Sequence, residues 1–223
     1  MVPDVPMFVR IPGSYAVTHS LAGVFTVDVV LGMLGVAVWF GLVRDALVDV
    51  APSAVRERLD PSARYSRMQW VLVPVAVALG ALSHVVWDAF THRDRWGVEH
   101  VEWLRHLHGG LMGSAWAQYV SGGLGLVIVG ACAVDSLRMR SRRSRLPRVP
   151  DLGVRALAVV VLAIATITVV AALSRAPEGL HAMAFRGAVI GTIALVVGAL
   201  ALAVTWHLRA RHGVLAARPL QTP

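Results

Sequence analysis

The chain contains no lysine and a single cysteine, Cys132. One cysteine excludes an intramolecular disulfide and a thiolate metal cluster, and its place inside an apolar run reads as a small packing residue. Charge is scarce, at 15% of residues against 57% hydrophobic. A soluble domain with that balance would lack the polar surface to stay dispersed. No glycine-rich loop follows a strand-like segment, so a phosphate cradle of Walker or dinucleotide type is excluded. No internal repeat is evident, which argues against the inverted-repeat plan of many transporters.

What the chain does have is long apolar runs. Five stand out among its 223 residues, at about 21–43, 70–90, 116–137, 153–173 and 184–207. Each reaches the roughly 20 residues a helix needs to cross a hydrocarbon core. The segments between them are rich in Arg, Pro and Gly, so the runs are separate spans. The predicted fold is all-α: one integral membrane domain, 1–223, built as a polytopic transmembrane helix bundle of about five spans.

Arginine supplies all the basic charge and gives an orientation. The loop after the first span carries Arg44, Arg56, Arg58, Arg64 and Arg67, and the loop after the third carries six more between Arg138 and Arg148. The tail adds Arg209, Arg211 and Arg218, whereas the other side holds Arg10, Arg93, Arg95, Arg105 and Arg175. The positive-inside rule puts the N-terminus outside and the C-terminus in the cytoplasm. The net charge of +8 is thereby explained by topology and calls for no nucleic-acid partner. Trp39, Trp70, Trp87, Trp116 and Trp206 fall near span ends, as an interfacial belt requires.

The second run closes on Ser83-His84-Val85-Val86-Trp87-Asp88-Ala89-Phe90-Thr91-His92. His84, Asp88 and His92 recur every fourth residue and form one polar stripe on an apolar helix. Ionisable groups at membrane depth are expensive, so a repeated set is a functional-site hypothesis; the bland reading is hydrogen bonding between helices. Seven of the nine histidines fall on or near the predicted outer side. His19, at the outer end of span one, would lie at the depth of the Asp88 end of span two, and consecutive spans are usually neighbours.

Two imidazoles and a carboxylate are ordinary ligands for a transition metal. His19, His84 and Asp88 would supply a first set of ligands, with Asp4 a fourth candidate, and Ser20, Ser83 and Thr91 could orient them. The cofactor expected is a divalent metal, zinc before others.

Other polar groups read more plainly. Asp28 lies nine residues after His19, which on a straight helix turns it to the opposite face. Asp135 and Arg138 have the spacing of a local pair, and Arg186 that of an interfacial snorkel. Gly187-x-x-x-Gly191 permits close helix packing, within the chain or in a homo-oligomer. Trp96–Ser114 shows helical spacing and reads as a helix lying in the outer interface, with Glu102 and His106 on a solvated face.

The order of elements resembles a known family. Met1-Val2-Pro3-Asp4-Val5-Pro6, Tyr15-Ala16-Val17-Thr18-His19-Ser20-Leu21 running on to Asp28, Ser83-His84-Val85-Val86-Trp87-Asp88 with Trp96-Gly97-Val98, and Gln118-Tyr119-Val120-Ser121 resemble domain-of-unknown-function family 4184, polytopic bacterial membrane proteins. The resemblance covers roughly residues 1–135. The Pro-Asp, Thr-His-Ser and Ser-His-x-x-x-Asp elements are also similar to the membrane-bound metal-dependent hydrolases, which implies metal-ligand roles for Asp4, His19, His84 and Asp88 and leaves His92 a neighbour. Both groups usually place a further His-bearing segment ahead of the Pro-Asp pair. Either the reading frame opens upstream of Met1 or one ligand of the pattern is lacking.

Two function classes follow. The first is a metal-dependent hydrolase in the bacterial cytoplasmic membrane, acting at the outer face on a lipid or phosphoester-like substrate. The second is a non-enzymatic scaffold or small permease whose polar groups hold the bundle together. Membrane lipids are the expected partners in either case.

Overall fold

The computed structural model describes residues 2–9, 12–60 and 62–216, and Arg10, Arg218 and the side chain of His212 lie outside them. Among the described residues the chain is helical apart from one two-stranded hairpin. Five helical stretches are long and apolar enough to cross a membrane: Leu21–Val50, Arg67–His100, Gly113–Arg138, Pro150–Leu173 and Leu180–Arg211. Each contains one of the five runs read from the sequence. The described residues form two compact units, one from Met1–Gly35 and Tyr65–Met139, the other from Val36–Arg64 and Arg140–Pro223.

The first unit opens with three short helices, α1 (Val5–Val9), α2 (Ser14–Thr18) and α3 (Leu21–Phe25), before α4 (Val27–Val38). The first apolar run is therefore not a straight rod. Thr26 leaves helical geometry at φ −122° and ψ −81°, and its hydroxyl donates to the Ala22 carbonyl. Past this break Asp28 and Gly32, one turn apart, share the buried face of α4. A Cβ on Gly32 would stand 2.4 Å from Val77 Cγ1, so glycine is what lets the two backbones approach. After a π-helical turn at Trp39–Val43 the helix resumes as α5 (Arg44–Val50), and a short α6 (Ser53–Arg56) follows.

Helix α7 (Arg67–Thr91) starts on a capping box: Ser66 Oγ accepts from the Gln69 N–H, and Gln69 Oε1 accepts from the Ser66 N–H. Pro74 lies inside it. The stretch read as one interfacial helix is broken instead into α8 (Trp96–His100), α9 (Glu102–Arg105) and a hairpin pairing β1 (Leu107–His108) with β2 (Leu111–Met112). Gly109 and Gly110, at φ 62° and 89°, make the two-residue turn that a hairpin favours and a helix cannot contain. Helix α10 (Gly113–Arg138) leaves the hairpin. Trp87 Nε1 donates to Ser121 Oγ and ties α7 to α10.

The second unit packs α11 (Val154–Leu173) against α12 (Leu180–Ala216). Gly187, Gly191 and Gly198 face α11, where added Cβ atoms would meet Ala172, Thr168 and Val160. Its core gathers Val43, Ala46 and Val50 with Val149, Leu152, Leu202, Ala203 and Trp206. At its centre the buried Asp49 carboxylate accepts the Arg148 and Val149 N–H groups and Trp206 Nε1, at 2.7, 3.1 and 2.8 Å. Trp206 is thus a core residue and not part of an interfacial belt. Arg186 Nε is buried and has no hydrogen-bond partner among the described residues.

Candidate metal centre

The N-terminal Pro-Asp pair, the Thr-His-Ser turn and the α7 stripe meet in the first unit. Thr18, almost fully buried, donates its hydroxyl to the Pro3 carbonyl at 2.7 Å. That bond holds the Pro3-Asp4 segment against α2 and carries the Asp4 carboxylate to His19. Ser20 then caps α3: its Oγ accepts from the Gly23 N–H at 3.0 Å and donates to the Val17 carbonyl at 2.6 Å. A Cβ on Gly23 would lie 1.8 Å from the Val17 carbonyl oxygen, so this turn closes only around glycine. Each residue of Thr18-His19-Ser20 has a separate task, and His19 is the one aimed inward.

The imidazole of His19 is held from one side. Its Nδ1 stands 3.0 Å from the Tyr15 carbonyl, and its ring stacks on the Tyr15 ring with centroids 3.8 Å apart. A carbonyl can only accept, so Nδ1 carries the proton and Nε2 presents a lone pair. The Arg95 guanidinium lies 6.0 Å from the Tyr15 ring centroid. Burial pushes the Tyr15 hydroxyl above its ordinary pKa, and the Asp88 charge adds to that.

Four side chains converge on one point. His19 Nε2 is 3.7 Å from Asp4 Oδ1 and 3.3 Å from Asp88 Oδ2. His84 Nε2 is 3.1 Å from Asp4 Oδ2 and 3.4 Å from the same Asp88 Oδ2. One ligand atom from each of the four residues lies within 4.8 Å of every other. Ligands held about 2.0–2.2 Å from one ion at the corners of a tetrahedron stand about 3.3–3.6 Å apart, so the spacing suits a shared cation.

Hydrogen bonding accounts for only part of this convergence: His84 Nε2 and Asp4 Oδ2 are close enough to pair, at 3.1 Å. His19 Nε2 and Asp88 Oδ2 are buried and have no hydrogen-bond partner among the described residues. A lone pair facing a carboxylate oxygen out of water is unfavourable unless something positive lies between them. The buried cluster could hold a metal ion, and its mix of nitrogen and oxygen donors suits several divalent metals without selecting zinc. Burial opposes ionisation of Asp4, but the hydrogen bond and charge of the neighbouring His84 hold its carboxyl below the ordinary carboxylate range.

The other residues singled out from the sequence fall around this point. His92 Nδ1 lies 3.4 Å from Asp88 Oδ1, the oxygen turned away from the four-residue group, and is a neighbour of the cluster. The Ser83 hydroxyl donates back to the Gly80 carbonyl within α7, and Thr91 Oγ1 lies 3.2 Å from the Trp87 carbonyl and from His92 Nδ1. Glu102 and His106 are exposed and away from the cluster, with His106 Nδ1 on the Glu102 carbonyl. Thr18 and Tyr15 are the supporting residues that sequence reasoning missed. The available signal for Tyr15 was its place four residues before His19.

A family model described as Domain of unknown function (DUF4184) matches residues 1–205. The chain belongs to the DUF4184 family. The DUF4184 match takes in all four clustered residues and continues past residue 135 through most of the second unit. No curated protein and no solved structure matches the chain.

Proposed function

We propose that this DUF4184 protein is a multi-pass protein of the bacterial cytoplasmic membrane and a metal-dependent hydrolase. Its centre, Asp4, His19, His84 and Asp88, works at the outer face on a lipid or phosphoester-like substrate. The observation that carries the reading is the convergence of two imidazoles and two carboxylates at ligand–ligand spacing, with His19 Nε2 and Asp88 Oδ2 buried and unpaired among the described residues. A divalent cation bound there would lower the pKa of a coordinated water towards neutrality and polarise a substrate oxygen. The chain's own part is to orient: the Tyr15 carbonyl sets the His19 tautomer, and Thr18 holds Asp4 in place.

Two features of the same unit support the substrate class. A wholly apolar cleft of about 580 Å³, lined by Trp103, His108, Trp116, Ala117 and Val120, has the character an acyl chain requires. A second cavity of about 400 Å³ is lined by Arg93 and Arg105 together with Asp94 and Glu99, and begins one residue after His92. Its guanidinium groups suit a phosphate-bearing headgroup.

The test is metal content followed by turnover. Purified full-length protein should retain manganese, zinc or iron and should hydrolyse phosphoester or lipid substrates only when loaded. Protein that binds no divalent metal, with a His84→Ala variant of equal stability, would overturn the reading in favour of a scaffold.

A further inference from the structure

The segment between α7 and α10 carries charge that the metal centre does not use. Arg93, Asp94, Glu99 and Arg105 line the cavity of about 400 Å³, and all four are exposed. Val98, Leu107 and Met112, apolar and not aromatic, make up the rest of its lining. Glycine contacts fix the elements that bear these charges. A Cβ on Gly97 would lie 2.7 Å from the Ala89 carbonyl oxygen, so α8 and Glu99 sit hard against the end of α7. One on Gly113 would clash with the Trp103 carbonyl oxygen, which pins α9 and Arg105 to the start of α10. Asp94 makes the turn into α8 at φ 59°. Aspartate and asparagine tolerate this left-handed conformation better than most residues.

The same segment points to lipid. Trp96, Trp103, Leu107 and Trp116 are exposed, and indoles gathered at a span end belong at headgroup level. Trp103 and His108 line the apolar cleft, whereas Arg105 and Leu107 line the charged cavity, so α9 and β1 serve as a wall to both. Charge then selects the headgroup. Two guanidinium groups answer a phosphate. Two carboxylates need a cation beside it, which a phosphoglycerol headgroup does not bring. A choline ammonium has no N–H to donate and is recognised by aromatic faces, whereas this lining is carboxylate and aliphatic. A primary ammonium offers the carboxylates three donors.

We propose that this cavity is the headgroup site for a phospholipid bearing a primary ammonium, the phosphoethanolamine class, with an acyl chain in the neighbouring Trp103 and Trp116 cleft. Arg93 and Arg105 meet the phosphate, and Asp94 and Glu99 meet the ammonium. As a substrate site it rests on the proposed hydrolase centre, whose Asp88 lies 3.4 Å from His92, the residue before Arg93. It narrows the substrate of that reading to one headgroup class. As a binding site it stands on its own charges, and is tested apart from the metal.

The experiment uses the full chain in detergent, as purified and again with chelator, which stops metal-dependent turnover. Phosphatidylethanolamine, phosphatidylcholine and phosphatidylglycerol with identical acyl chains are offered singly. Lipid retained per chain is measured by mass spectrometry after gel filtration. With chelator, the wild type should retain phosphatidylethanolamine about tenfold better than either other lipid, the discrimination of one charge-assisted hydrogen bond. Asp94→Asn combined with Glu99→Gln should erase that preference, since asparagine keeps the left-handed turn while both charges go. Arg105→Gln should weaken retention of all three lipids. Equal retention of the three by the wild type, or a preference unchanged in the double variant, overturns the headgroup site and leaves the metal centre intact. A preference for phosphatidylethanolamine with no hydrolysis of it after Mn²⁺ is added keeps the headgroup site and overturns its use as a substrate site. Should the double variant not be recovered folded, the wild-type ranking of the three lipids decides alone.

Discussion

His19 Nε2 and Asp88 Oδ2 stand 3.3 Å apart, both buried and both without a hydrogen bond among the described residues, one at the end of a short N-terminal helix and the other near the end of α7. Two polar groups this close in an apolar setting are at a spacing that one cation could bridge. Whatever holds them must bring three separate pieces of chain to one point, and that makes the arrangement open to test.

Removing a ligand should remove the metal. His84→Ala and Asp88→Ala are each expected to abolish stoichiometric binding of Mn²⁺ or Zn²⁺ in equilibrium dialysis. The wild type should gain about 2.7 kcal/mol of stability at a metal concentration of about 100 Kd, and the variants should gain none. Equal metal-induced shifts of Tm in wild type and His84→Ala would sink the ligand assignment.

Thr18 acts through Asp4. Thr18→Val deletes the donor to the Pro3 carbonyl and leaves that carbonyl buried and unpaired, costing about 1–3 kcal/mol. Metal affinity should fall about 10–100-fold, the range seen when groups supporting a ligand are lost. Thr18→Ser keeps the hydroxyl and should bind like the wild type in calorimetry.

Gly32 sets the distance between α4 and α7. Gly32→Ala would place a methyl against Val77 and should destabilise the protein by about 1–3 kcal/mol. Combining it with Val77→Ala should recover part of that loss, because the two changes act on one contact. Simple additivity in denaturant unfolding would show that this contact does not limit the approach.

Asp49 tests the second unit separately. Asp49→Ala strands the Arg148 and Val149 N–H groups and Trp206 Nε1 in a buried core, and should cost about 2–4 kcal/mol. Metal per chain in the folded fraction should not change. The Trp206 fluorescence should shift to the red as its indole loses its acceptor and meets solvent.

Much of this is legible in the sequence. The five apolar runs announce themselves by length, and the fourfold spacing of His84, Asp88 and His92 defines a helix face because 3.6 residues make a turn. His19 and Asp4 were within reach as partners. Asp28 was misplaced because the reading assumed an unbroken helix, whereas Thr26 interrupts it. The hairpin after α9 was hidden because Val101, Leu104 and Leu111 imitate a helical period across the Gly109-Gly110 turn. Trp206 read as an interfacial residue because a tryptophan near a span end looks the same whether its N–H meets water or a buried carboxylate.

The sequence alone determined the helical class, the number of long apolar stretches and the residue types able to bind a cation, because these depend on composition and on spacing along one helix. Only the tertiary structure decided that Asp4, His19, His84 and Asp88 face one another, that Thr18 and Tyr15 hold two of them, and that Asp28 lies near them with both oxygens unpaired. The reason is physical: convergence is set by a hydroxyl tether, a helix break and a glycine contact. These join residues far apart in the chain and leave no periodic trace in it.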